Sequence, residues 1–133
     1  MAVKVGIIEA DPYEKGERAA LNLGHTVGHA LEQVSGFSIR HGEAVAIGMV
    51  VEARLAERLG LAESGLSRQI AALLADLGLP TAIPDNLERI AIQAAIRVDK
   101  KKKQGSVRFA LPTRIGRVQI GVDVPDDVLV SEI

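Results

Sequence analysis

The stretch Asp11-Pro12-Tyr13-Glu14, running on through Arg18-Ala19-Ala20-Leu21-Asn22-Leu23-Gly24-His25-Thr26-Val27-Gly28-His29 to Val34, decides the fold. It opens with an N-cap Asp, a Pro at the first helical position and a Glu at the third, which together start a helix. The helical pattern continues to about Val34, and Gly36 stops it. A helix turns about 100° per residue, so with Glu14 at zero, Glu32 returns to about 0°, His25 to 20° and Arg18 to 40°. His29 falls near 60° and Asn22 near 80° on the same scale. Six polar residues therefore share less than a quarter of the circumference. Ala19, Ala20, Leu23, Val27, Ala30, Leu31 and Val34 fill the opposite side. A solvated face carries strong helix formers such as Lys, Glu and Gln, whereas His and Asn favour helix poorly, so this face is expected to be functional. Gly24 weakens the helix interior and would allow a break near it.

Outward from this stretch the remaining chain is also helical. A loop through Ser38-Ile39-Arg40 leads to a second helix from about His41 to Leu59, closed by Gly60. Its AVAIGMVV segment is apolar all round, which implies burial on every side. A third helix is expected over Ser64 to Leu77, and a fourth from the capping-box sequence Asp85-Asn86-Leu87-Glu88 to about Val98. The lysines Lys100 to Lys103 follow it. VRFAL and GRVQIGV, separated by a turn near Pro112 to Gly116, read as a β-hairpin. Pro125-Asp126-Asp127 starts a last short helix. The reading is a single mainly α, multi-helical domain over 1–133 with a small C-terminal β-hairpin.

Composition narrows the function. The chain has 133 residues, a formal net charge of −1 and only 2% aromatic residues, which argues against nucleic acid and anionic membrane as partners. With 0 Cys, disulfides and thiolate metal sites are excluded. The longest apolar run, Ala44 to Val51, is too short to span a bilayer, and no signal-peptide layout is present, so the cytoplasm is the expected compartment. Apolar residues begin at once, over Val3 to Ile8, as though the chain opened inside an existing fold. That segment is expected to be exposed or covered by another chain, making a homo-oligomer.

All 3 His fall between positions 25 and 41. Two groupings could hold a metal: His25 with His29, an i, i+4 pair, or His25 with His41, if the two helices pair. HExxH is absent, since Thr26 takes the Glu position. Two imidazoles leave a zinc site incomplete, and Glu43 serves the helix dipole more naturally than a metal. Arg18 and Asn22, one turn apart, suit a phosphate, with a lysine from the later run as a third donor.

Arg18-Ala19-Ala20-Leu21-Asn22-Leu23-Gly24-His25-Thr26-Val27-Gly28-His29-Ala30 resembles the signature of the 3-dehydroquinate synthases. His41-Gly42-Glu43-Ala44-Val45-Ala46-Ile47-Gly48-Met49 resembles the family's second signature. Asp99-Lys100-Lys101 and the hairpin Phe109-Ala110-Leu111-Pro112 to Ile115-Gly116 resemble its C-terminal segment. The resemblance implies the C-terminal helical domain of an enzyme that uses NAD and a divalent metal, Zn2+ or Co2+. Such an enzyme converts a seven-carbon 3-deoxy sugar-acid phosphate to 3-dehydroquinate and phosphate in the shikimate pathway. It implies that His25 and His41 are metal ligands, with a third ligand, a Glu, on a segment before the chain begins. Arg18, Asn22 and Lys100 or Lys101 would contact substrate, as would Lys4. His29 would be an acid/base group facing the substrate, and Glu14 a polar partner in the active site. The family's N-terminal NAD domain is absent, because no Gly-rich strand–turn–helix fingerprint occurs, so the chain alone is expected to be inactive. Sister sugar-phosphate cyclases of the 2-deoxy-scyllo-inosose and valiolone types share the metal motifs. Metal-dependent polyol dehydrogenases and a non-enzymatic interaction domain are the other readings.

Overall fold

The computed structural model describes residues 23–102, 109–115 and 117–133, with backbone alone for 99–102 and 121. Five helices and one hairpin follow in order: α1 (His25–Val34), α2 (His41–Arg58), α3 (Leu66–Asp76), α4 (Arg89–Lys102), β1 (Phe109–Arg114), β2 (Arg117–Val122) and α5 (Asp126–Glu132). Glu14, Arg18, Asn22, Lys4 and the Val3 to Ile8 segment lie outside the described residues.

The fold is organised around α2, which is apolar on two sides. Ala44, Ile47, Val51, Leu55 and Ala56 turn to a core shared with Val27 and Leu31 of α1, Ile92 and Ile96 of α4, Phe109 and Leu111 of β1, and Leu129 of α5. Ala46, Val50 and Ala53 turn to a second cluster with Leu66, Ile70 and Leu74 of α3. The burial on every side expected from AVAIGMVV holds for two sides among the described residues, since Val45 and Met49 are only half-buried.

α1 crosses α2 at very short range because both helices carry glycine there. A Cβ on Gly28 would meet the Ala44 carbonyl oxygen at 3.0 Å, and one on Gly48 would overlap the Gly24 carbonyl oxygen. At its end α1 closes as expected at Gly36, with φ 64°. The Phe37 N–H donates to the Glu32 carbonyl at 2.8 Å, and Phe37 also takes a positive φ of 64°. This closing bond satisfies a carbonyl that the helix end leaves unpaired.

Several boundaries differ from the sequence reading. Among the described residues α1 starts at His25, and Gly24, where the sequence allowed a break, takes φ 81°, in the left-handed region. The shared face expected for Glu14, Arg18 and Asn22 with the histidines falls outside the described residues; within them, His25, His29 and Glu32 all belong to α1. The break follows from packing, since a Cβ on Gly24 would meet the Val45 carbonyl oxygen at 2.6 Å. α3 starts at Leu66, not Ser64, after Gly65 at φ 104°. α4 starts at Arg89 rather than at the Asp85 capping box, whose residues form a turn instead. It also runs past Val98, so Lys100 and Lys101 lie within the helix, where a C-terminal turn favours positive charge. The hairpin turn is tighter than expected: Pro112 belongs to β1, opposite Val118, beside register shifts between Phe109 and Leu111 and between Pro112 and Arg114. A two-stranded ribbon tolerates proline because each strand has an unpaired edge.

Candidate metal centre

Two of the three histidines meet at the mouth of the α1–α2 hairpin. His25 is the first residue of α1 and His41 the first of α2. The antiparallel pairing of short-looped helices normally sets successive N-termini apart. Here α1 is short, and the Ser35 to Arg40 connection returns the chain toward its start, so the two rings lie with centroids 5.2 Å apart and planes tilted by 57°.

Each ring is held through the same nitrogen. His25 Nδ1 lies 3.1 Å from the Leu23 carbonyl oxygen, and His41 Nδ1 lies 2.9 Å from Glu32 Oε1. Both partners accept only, so each Nδ1 carries the proton and donates, which leaves each Nε2 with a free lone pair. Metal-binding histidines are usually oriented this way, with the far nitrogen donating to a carbonyl or a carboxylate. Two imidazoles bound through Nε2 to one tetrahedral zinc, at about 2.0–2.1 Å each, would put their ring centres about 5 Å apart. The donor set and spacing therefore fit a divalent metal. Among the described residues no group of three or more His, Asp or Glu side chains converges to complete such a site.

Glu32 is the residue that sequence reasoning placed on the right face without a task. Its side chain is only 13% exposed while that of His41 is 62% exposed, so the carboxylate anchors a ring that solvent would otherwise leave free. Glu43, weighed as a ligand and set aside, accepts the Arg40 N–H at 3.2 Å and caps α2. His29 is exposed, one helical turn after His25. Lys100 and Lys101 sit on the last turns of α4.

A second residue escaped notice. Glu52 lies in the apolar run of α2, with 1% of its surface exposed. Its Oε1 accepts the Gly24 N–H at 2.8 Å and its Oε2 the Val27 N–H at 3.5 Å. Burial pushes the carboxyl up to about 8, against the opposing pull of those two backbone bonds. The signal available in the sequence was an acid one turn after Gly48, in a helix apolar all round.

The chain resembles known proteins over most of its length. It is 46% identical over 127 residues to the 3-dehydroquinate synthase of Synechococcus sp. (strain ATCC 27144), covering 95% of this chain and 34% of that protein. It is 44% identical over 128 residues to the 3-dehydroquinate synthase of Symbiobacterium thermophilum, covering 96% and 36%. The chain thus spans about a third of the length of the curated relatives it matches. Among solved structures, a 2-deoxy-scyllo-inosose synthase complexed with carbaglucose-6-phosphate, NAD+ and Co2+ superposes with a TM-score of 0.72 at 25% identity, covering 83% of this chain and 31% of that one. A 2-epi-5-epi-valiolone synthase from Streptomyces hygroscopicus subsp. jinggangensis 5008, with NAD+ and Zn2+ bound, shares the fold at a TM-score of 0.72 and 24% identity, covering 84% and 31%. The model of the 3-dehydroquinate synthase C-terminal family matches residues 1–102, and the chain belongs to that family.

Proposed function

We propose that this chain supplies the metal- and substrate-binding half of a 3-dehydroquinate synthase, with His25 and His41 as metal ligands through Nε2. The observation that carries the reading is the pairing of the two rings, 5.2 Å apart and each held at Nδ1 by a fixed acceptor, with no partner for either Nε2 among the described residues. Glu32 fixes His41, and the Leu23 carbonyl fixes His25, each through the nitrogen that a metal bound at Nε2 leaves unused. A divalent metal, when bound, would hold substrate hydroxyls and ease loss of their protons during oxidation.

The remaining roles belong to this chain's own residues. His29 follows His25 by one helical turn and has an exposed imidazole, suited to move a proton at the substrate near neutral pH. Arg18, Asn22 and one of Lys100 or Lys101 hold the substrate's phosphate and carboxylate, with Lys4 and Glu14 as further polar contacts. NAD is assigned in this reading to a separate N-terminal domain, without which these 133 residues are expected to turn over no substrate. The compartment is the cytoplasm, in keeping with the absence, among the described residues, of a helix long and apolar enough to cross a membrane.

The 46% identity to a 3-dehydroquinate synthase against 25% to a 2-deoxy-scyllo-inosose synthase favours the seven-carbon 3-deoxy sugar-acid phosphate (3-deoxy-D-arabino-heptulosonate 7-phosphate, DAHP) over a hexose phosphate as substrate. The test is a chimera joining this chain to the N-terminal portion of the Synechococcus relative. Phosphate release from DAHP, lost in His25→Ala and His41→Ala and reduced at least about 100-fold in His29→Ala, is expected, since acid/base groups contribute roughly 100- to 10,000-fold. A soluble chimera that binds zinc and releases phosphate from glucose 6-phosphate but not from DAHP would move the chain to the sister cyclases.

A further inference from the structure

Glu52 is remote from the open side of the metal centre, yet its carboxyl group lies against the turn from which His25 projects. Three local facts converge there. Gly48 of α2 has no side chain, and α1 approaches so closely that a Cβ at Gly48 would lie 2.9 Å from the Gly28 nitrogen. Glu52 follows Gly48 by one turn on the same side of α2, so the close approach brings its carboxyl beneath the first turn of α1. α1 has no side-chain cap of its own, because its N-cap is Gly24. The first N–H groups of a helix lack intrahelical partners, and buried ones need an acceptor. Glu52 supplies it for Gly24 and Val27, the residues on either side of His25 and Thr26.

We infer that Glu52 is a positioning residue for the metal centre: by capping the first turn of α1 from the neighbouring helix, it fixes the backbone that carries His25 and so the distance from His25 to His41. The inference rests on the metal reading of that pair. Among the described residues no other side chain accepts from the N–H groups of this turn, so without Glu52 the His25 end of α1 loses its register. The Leu23 carbonyl that orients the His25 ring belongs to the same turn and would shift with it.

The experiment uses the 133-residue chain and Zn2+ alone, with affinity measured by calorimetry under conditions where far-UV circular dichroism shows each variant folded. Glu52→Leu keeps the bulk but removes both acceptors, and zinc affinity is expected to fall at least 10-fold. Glu52→Gln keeps a carbonyl oxygen for Gly24 and is expected to stay within about threefold of the parent. Leu66→Ala truncates a buried residue of α3 in the second core cluster, which contains no residue of α1, and is expected to cost stability without moving zinc affinity. A folded Glu52→Leu variant that binds zinc as the parent does overturns the positioning role. Should Glu52→Leu not fold, amide exchange in the parent decides: a Gly24 amide exchanging as fast as one in an open loop overturns it, and a protected one, retained in Glu52→Gln, supports it. His25→Ala separates the two levels, because zinc affinity unchanged in that variant overturns the metal reading itself.

Discussion

Replacing Gly48 with alanine should damage both stability and the metal centre, although alanine is the better helix former. The added Cβ would overlap the Gly24 carbonyl oxygen and lie 2.9 Å from the Gly28 nitrogen and 3.1 Å from the Gly24 carbonyl carbon. All three are backbone atoms of α1 and its cap, so no rotamer change relieves the contact. α1 must instead retreat by about an ångström, since non-bonded carbon contacts settle near 3.5–4.0 Å. Overpacking of this kind costs about 1–3 kcal/mol. The 2.8 Å bond from the Gly24 N–H to Glu52 stretches with the retreat, which adds about 1 kcal/mol. Helix propensity returns about 1 kcal/mol, leaving a net loss of about 1–3 kcal/mol. Gly42 is the control: it lies in the same helix, and a Cβ there would meet nothing within 4 Å, so Gly42→Ala should be neutral or stabilising. Urea unfolding followed by circular dichroism measures both. A Gly48→Ala variant as stable as Gly42→Ala would show that the two helices do not cross at this distance.

Glu52 also sets a pH dependence. Its folded-state value of about 8 lies above the ordinary 4.5, so between those limits the folded chain holds a proton that the unfolded chain releases. The contribution is full below about pH 4.5 and declines, by about 1.4 kcal/mol per pH unit at its steepest, until it is gone above about 8. Urea midpoints at pH 5 and pH 7.5 should therefore fall more in the parent than in Glu52→Gln, and parallel falls would exclude a buried protonated Glu52. Glu32→Ala, which frees the His41 ring, should weaken zinc binding by about 10–100-fold while leaving the Gly24 amide protected from exchange. Unchanged zinc binding in that variant would remove Glu32 from the centre.

The helical hairpin was readable because two strong signals coincide there: a stop at Gly36 and an apolar segment in α2 too continuous for a surface helix. The pairing of His25 with His41, rather than with His29, was not decided by spacing, because i, i+4 on one helix looks equally favourable. It depends on the return of the loop through Phe37, which takes a left-handed conformation that nothing in an aromatic residue foretells. The start of α1 at His25 was only partly legible for a related reason. A glycine inside a helical pattern weakens the helix only modestly, and the break at Gly24 comes from its contact with Val45, twenty-one residues on. Glu52 was missed because an acid in an apolar run reads as an exposed position until its acceptors are matched to the uncapped turn across the helix interface.

The most direct measurement is a long-range proton–nitrogen correlation spectrum of the three histidine rings during zinc titration of the chain. Before zinc, His25 and His41 should both appear as the tautomer protonated at Nδ1, held by the Leu23 carbonyl and by Glu32. On titration their Nε2 resonances should shift together with a single affinity while those of His29 stay in place. Zinc-dependent shifts shared by His25 and His29, with His41 unaffected, would contradict the site described and return the metal to a single helix face.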